Sequence, residues 1–196
     1  MKVMRVTSRL CGGRLWQRLA LALCVPLTAV SLLVGCGRDN PLNEPVERFG
    51  MVEVPYDRAI RLSVAEVPAG ELAALELRGP ESDSPVWESR VMGKDEQLHT
   101  VRLGATRGEV LGTSSSPALT DAERQALSQR LDRARILPDE AAREAADHGE
   151  TVTAVRLEER DGVPVWRVSV LGVADDEATV HVVDATTGKV VERLPA

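Results

Sequence analysis

The sequence predicts an α+β protein: two small tandem domains, each a helix packed on an antiparallel sheet of three or four strands. Three observations carry this. Segments on either side of residue 113 match each other at a nearly constant offset of about 80 residues. Each copy opens with helix-start signals and continues as alternating or β-branched strand runs. And 43% of the 196 residues are apolar, enough for folded cores, although the aromatics are only Trp16, Phe49, Tyr56, Trp87 and Trp166.

Taken in order, the chain begins with an address. Residues 1–18 hold Lys2, Arg5, Arg9, Arg14 and Arg18 and no acid, and an uncharged run from Leu19 to Gly35 follows, interrupted by Pro26. Basic head, apolar middle and small-residue end form the pattern of a secretory signal. An uncleaved anchor helix fits the Pro and Gly endings poorly. Leu33-Val34-Gly35-Cys36 resembles the lipobox of bacterial lipoproteins, in which the Cys thiol accepts a diacylglyceryl group and becomes the first mature residue. That resemblance implies a signal peptide over 1–35 and palmitate-type acylation at Cys36, with several chains on one residue giving firm anchoring. All five basic residues named above would leave with the signal. The chain from Cys36 onward then carries 19 basic against 30 acidic side chains, a net charge of −11 where the whole chain has −6. Neither figure suits a nucleic-acid partner.

Residues 36–48 are polar, with Pro41 and Pro45, and read as an acylated start and a tether. The first domain is expected over 49–112. There Pro55-Tyr56-Asp57 starts a helix that Gly70 follows, and Val86 to Met92 is a strand. The small polar run Gly112-Thr-Ser-Ser-Ser-Pro117 reads as an interdomain linker, placed at 113–118. The second domain, 119–196, begins with an extra helix: Thr120-Asp121-Ala122-Glu123 is a capping box, and Leu127, Leu131 and Ala134 share a side. Next, Pro138-Asp139-Glu140 opens the domain's own helix, with His148 near its end and Gly149 as a stop. Trp166, Val168 and Val170 then alternate with Arg167 and Ser169, and Thr179 to Val183 is a β-branched run. Between that run and Val190, Asp184-Ala-Thr-Thr-Gly188-Lys189 is a hairpin turn, in which Asp bonds back to the backbone and Gly supplies a positive φ.

The repeat is explicit at three places. Pro85-Val86-Trp87 to Gly93 aligns with Pro164-Val165-Trp166 to Gly172, Ala105 to Val110 with Ala185 to Val190, and Ala74-Leu-Glu-Leu77 with Ala154-Val-Arg-Leu157. The second copy, with Val183-Asp184-Ala-Thr-Thr-Gly188-Lys189-Val190 at its close, resembles the PepSY domain. The first copy resembles it in degenerate form, because Gly104 stands in place of Asp and Glu109 in place of Lys. The resemblance implies a cystatin-like helix on an antiparallel sheet and no catalytic residues. It also implies a role in binding or restraining a peptidase or another protein of the cell envelope. Asp184 and Gly188 are then turn architecture.

The residues themselves supply no chemistry to set against this. His148 sits near a helix end, where the macrodipole favours a cation, and His99 and His181 lie in comparable third strands with no Asp/Glu pattern that makes a metal site. Ser114 to Ser116 reads as linker, not as the G-x-S-x-G of a nucleophile elbow. No catalysis, cofactor or metal is expected. Trp87 and Trp166 could stack on a ligand, but equivalent places in a repeat signal fold, and both are expected in cores. The expected protein is therefore a lipid-anchored, extracytoplasmic binding module of the cell envelope, on the periplasmic face of the outer membrane if the cell is Gram-negative. The other reading is an accessory lipoprotein that binds a peptide, small ligand or metal, or scaffolds a complex.

Overall fold

Proline or a capping threonine with acids at the helix starts, then apolar residues spaced for one face, produce three helices among the described residues. The computed structural model describes residues 49–116, 119–172 and 178–196. The expected signal 1–35, Cys36, the tether to residue 48 and the last two linker residues lie outside the described residues. Helix α1 (Tyr56–Ala65) begins after Pro55 and buries Ala59, Ile60 and Ser63. Helix α2 (Asp121–Arg133) starts in a complete capping box: the Glu123 N–H donates to the Thr120 hydroxyl, and the Thr120 N–H donates to the Glu123 carboxylate at 2.8 Å. Helix α3 (Pro138–Ala145) has Pro138 in its first turn and buries Ala141, Ala142 and Ala145. It stops short of His148, which sits in the following turn rather than at the helix end.

Eight strands follow these helices in two runs of four: β1 (Glu71–Arg78), β2 (Val86–Met92), β3 (Leu98–Gly104) and β4 (Val110–Ser115), then β5 (Thr151–Arg160), β6 (Val163–Leu171), β7 (Ala178–Asp184) and β8 (Val190–Pro195). They form one antiparallel sheet in the order β4-β3-β2-β1-β5-β6-β7-β8. Two sequence expectations are corrected here. The two small sheets are a single sheet, because β1 and β5, first strands of their halves, pair through Ala74–Arg156, Leu75–Val155 and Glu76–Ala154. And the supposed linker is largely strand: Gly112, Thr113, Ser114 and Ser115 pair with Arg102, Val101, Thr100 and His99 of β3. Small polar residues are common in linkers, but a strand exposed on both faces has no need of apolar ones.

Alternation gives the sheet two unlike sides. Leu77, Trp87 and Leu103 share one register row, and Leu157, Trp166 and Val183 another; these rows face the helices. Ala59 and Ile60 of α1 pack with Leu75, Trp87 and Val101 in one apolar cluster. Leu127 and Leu131 of α2 and the alanines of α3 pack with Val155, Trp166 and Val168 in another, which Ala73, Met92 and Leu98 of the first half also enter. On the opposite side Glu76, Glu88 and Arg102 form a row, as do Arg156 and Arg167.

Candidate functional site

Of the residues singled out from sequence, Trp87, Trp166, Asp184 and Gly188 fall into one constellation, built twice, while Cys36 lies outside the described residues. Trp87 and Trp166 are buried, 1% and 2% exposed. The Trp87 indole N–H donates to the Val54 carbonyl at 2.8 Å, and the Trp166 indole N–H to the Ile136 carbonyl at 2.9 Å. Each of these carbonyls belongs to a short strap leading into a helix. The N–H groups of Glu53 and Val54 donate to the Ala105 carbonyl; those of Arg135 and Ile136 donate to the Ala185 carbonyl. Ala105 and Ala185 in turn donate to Pro85 and Pro164 at the starts of β2 and β6. Tryptophan, strap and turn therefore lock helix to sheet by the same bonds in both halves.

The turns close the constellation. In the second, Asp184 accepts from the N–H groups of Thr186 at 2.7 Å and Thr187 at 3.1 Å, and Gly188 has φ +77°. In the first, Gly108 takes the same left-handed conformation at +81°. Gly104 has no carboxylate to give, yet one is present: the Glu109 carboxylate stands 2.7 Å from where a β-carbon on Gly104 would be. The Glu109 backbone N–H and then Arg107 hold that carboxyl below its usual range. The Glu109 carboxylate thus fills the space beside Gly104 and pairs with Arg107 at 3.4 Å, without the backbone bonds that Asp184 makes in the second turn.

The Thr186 N–H, chiefly, and that of Thr187 hold the Asp184 carboxyl below its usual range. A depressed folded value stabilises above the ordinary carboxylate range, and the contribution disappears as pH falls through the folded value. Asp184→Ala should accordingly lower Tm near neutrality, and the gap to the parent protein should narrow between about pH 7 and about pH 3. A gap independent of pH would show that the carboxylate is not what Asp184 contributes.

The histidines are dispersed. His99 lies 3.1 Å from an Asp95 carboxylate oxygen, and Asp95 is held below its usual range by the Gln97 N–H first and by His99 second. His181 is buried on the helix side of β7, opposite Val168, and its Nδ1 has no hydrogen-bond partner among the described residues. Among the described residues, no group of three His, Cys, Asp or Glu stands close enough to hold a metal. No described helix is long and apolar enough to cross a membrane.

Three surfaces are left over. A cleft of about 400 Å³ opens between α1 and the start of α3, with Ile60, Leu72, Leu131 and Leu137 in its walls and Arg61 and Asp139 among its polar groups. The sheet side away from the helices is a lattice of exposed charges: Arg78 reaches Glu76 at 2.6 Å and Glu88 at 3.7 Å, Arg156 also holds Glu76, and Arg167 reaches Glu158 at 3.5 Å. Exposed pairs of this kind stabilise by about 0–1 kcal/mol each. The third surface is the pair of sheet edges, β4 and β8.

With this geometry established, the second half matches the family model of the peptidase propeptide and YPEB domain, PepSY, over residues 135–194. Those limits run from the strap before α3 to Leu194, one residue short of the end of β8. Residues 135–194 are a PepSY domain. Its repeated features, Trp166, the strap and the Asp184 turn, all serve the fold and leave the surfaces free. Two solved structures are similar over most of the chain. One is a candidate lipoprotein from Clostridium difficile, 17% identical, covering 74% of this chain and 95% of its own, with a TM-score of 0.47. The other is the YpmB protein from Bacillus subtilis, 17% identical, covering 72% and 97%, with a TM-score of 0.30. No curated protein matches the chain.

Proposed function

We propose that this protein is a lipid-anchored binding module that engages a peptidase or another protein of the cell envelope from the extracytoplasmic side. The PepSY domain at 135–194 is the observation that carries this reading, since its family is described by peptidase propeptides. The first half acts with it as a degenerate second copy, a reading supported by the shared tryptophan, strap and turn bonds. The signal occupies 1–35, Cys36 is acylated, and residues up to 48 tether the folded body to the membrane.

Capture from envelope extracts with the 49–196 body should recover a peptidase whose activity falls as the body is added. No protease captured, with secreted proteolysis unchanged, would overturn the peptidase reading. In the same cells Cys36→Ser should abolish incorporation of a labelled fatty acid. Labelling that persists would place the anchor elsewhere.

A further inference from the structure

The fold contains its own control for what a sheet edge needs in order to stay unpaired. β4 and β8 close the two ends of one sheet, and their registers correspond residue for residue. His99 pairs with Ser115 as Thr179 does with Pro195, Val101 with Thr113 as His181 with Arg193, and Arg102 with Gly112 as Val182 with Glu192. The Ser116 N–H donates inward to Leu98, and the Ala196 N–H donates inward to Ala178. Inward and outward backbone groups alternate along a strand, so Thr113 and Ser115 direct their N–H and C=O groups away from the sheet, as Arg193 and the Pro195 carbonyl do.

The two edges differ in how they meet solvent. On β8 the outward positions carry a charge and a proline. Arg193 pairs with Asp147 at 3.9 Å, Glu192 pairs with Arg160, and Pro195 has no N–H to offer. Charge and proline are the usual means of keeping an edge from accepting another strand. β4, Val110–Ser115, has neither, and all six residues are exposed. Its outward Thr113 and Ser115 keep both donors and acceptors.

A side-chain preference is also visible. Gly112 has open space where a side chain would stand. Behind it, on the side away from the helices, is Arg102, directly opposite in register. Arg102 makes no ion pair among the described residues; Glu88, opposite it in register, pairs with Arg78 at 3.7 Å. A residue on an added strand facing Gly112 would lie about 10 Å, two strand spacings, from the Arg102 Cα. Arginine and glutamate side chains together span that gap, with no side chain between them.

We propose that β4 is a docking edge for an extended segment of a partner protein, which adds as a ninth strand on Thr113 and Ser115 and places an acidic side chain over Gly112 to meet Arg102. The proposal rests on the partner-binding reading above and names where and by what chemistry the partner engages.

The test uses the full chain and end-blocked, fluorescent peptides of sequence Thr-Val-Glu-Val-Thr and Thr-Val-Lys-Val-Thr, followed by anisotropy. The Glu peptide should bind more tightly than the Lys peptide by about threefold, and Arg102→Glu should reverse the order. Ser115→Pro copies the β8 block at a residue whose N–H makes no ladder bond, and should weaken binding by about tenfold with Tm retained. N-methylating the peptide at alternate residues should do the same without altering the protein. Binding indifferent to both changes, no binding by either peptide, or self-association of the chain removed by Ser115→Pro would each overturn the proposal. Envelope capture that is undiminished by Ser115→Pro would overturn it while leaving the partner-binding reading intact.

Discussion

Trp166→Ala should destabilise the protein by about 3–5 kcal/mol, the cost of emptying the site of a large buried aromatic. Urea unfolding measures it, provided the slope against denaturant is unchanged. Two separable things are lost. The indole fills space beside Val168 and Val170 in the second cluster, and its N–H satisfies the Ile136 carbonyl at 2.9 Å. Trp166→Phe isolates the second. It keeps an aromatic ring but orphans a carbonyl whose residue is already fixed by its own N–H to Ala185, at a cost of about 1–3 kcal/mol. Because the strap sets the start of α3, the Phe variant should also loosen that helix, seen as faster amide exchange at Ala141, whose N–H donates to Leu137. Trp87 makes the same bond to Val54 at 2.8 Å, so its variants should show costs of the same order. A loss below about 1 kcal/mol for either alanine variant would mean that these tryptophans are not the fold's anchors.

Those anchors were legible because their signals are local. Alternation marks the strand of Trp166, Pro138 and the acids after it mark a helix start, and the spacing from Asp184 to Gly188 marks a turn. What joins the halves is not local. Leu75 and Val155 sit between an alanine and a charged residue, as they would in the first strand of an isolated small sheet, and no side chain announces that the strand's outer backbone groups are paired. β4 is hard to read for a different reason. Gly-Thr-Ser-Ser has the composition of a linker, and only register shows it to be a strand: the alignment of Ala105 to Val110 with Ala185 to Val190 requires a strand after Val110 wherever one follows Val190. Gly104 and Glu109 mark the first copy as degenerate in sequence, and that the Glu109 carboxylate lies beside Gly104 is visible only in the folded chain.

The junction of the halves gives the second large effect. β1 and β5 share three register pairs, fewer than the five to nine of the other neighbouring strands, yet Leu75 and Val155 there are both fully buried. Glu76 and Arg156 pair across the same junction on the solvent side. Val155→Asp would place a carboxylate in an apolar site with no cation among the cluster residues around it, at a cost of several kcal/mol. The larger claim concerns where that cost is felt. Two domains joined by a linker would unfold separately, and damage in β5 would leave the first half alone. A sheet continuous through Leu75 and Val155, with Ala73, Met92 and Leu98 entering the second cluster, should unfold in one transition. The two buried indole N–H groups report on the halves independently, Trp87 on the first and Trp166 on the second. Under conditions where the variant still folds, hydrogen exchange should accelerate at both indoles by a similar factor. Acceleration confined to Trp166 would show that the halves, though paired at β1 and β5, fold as separate units.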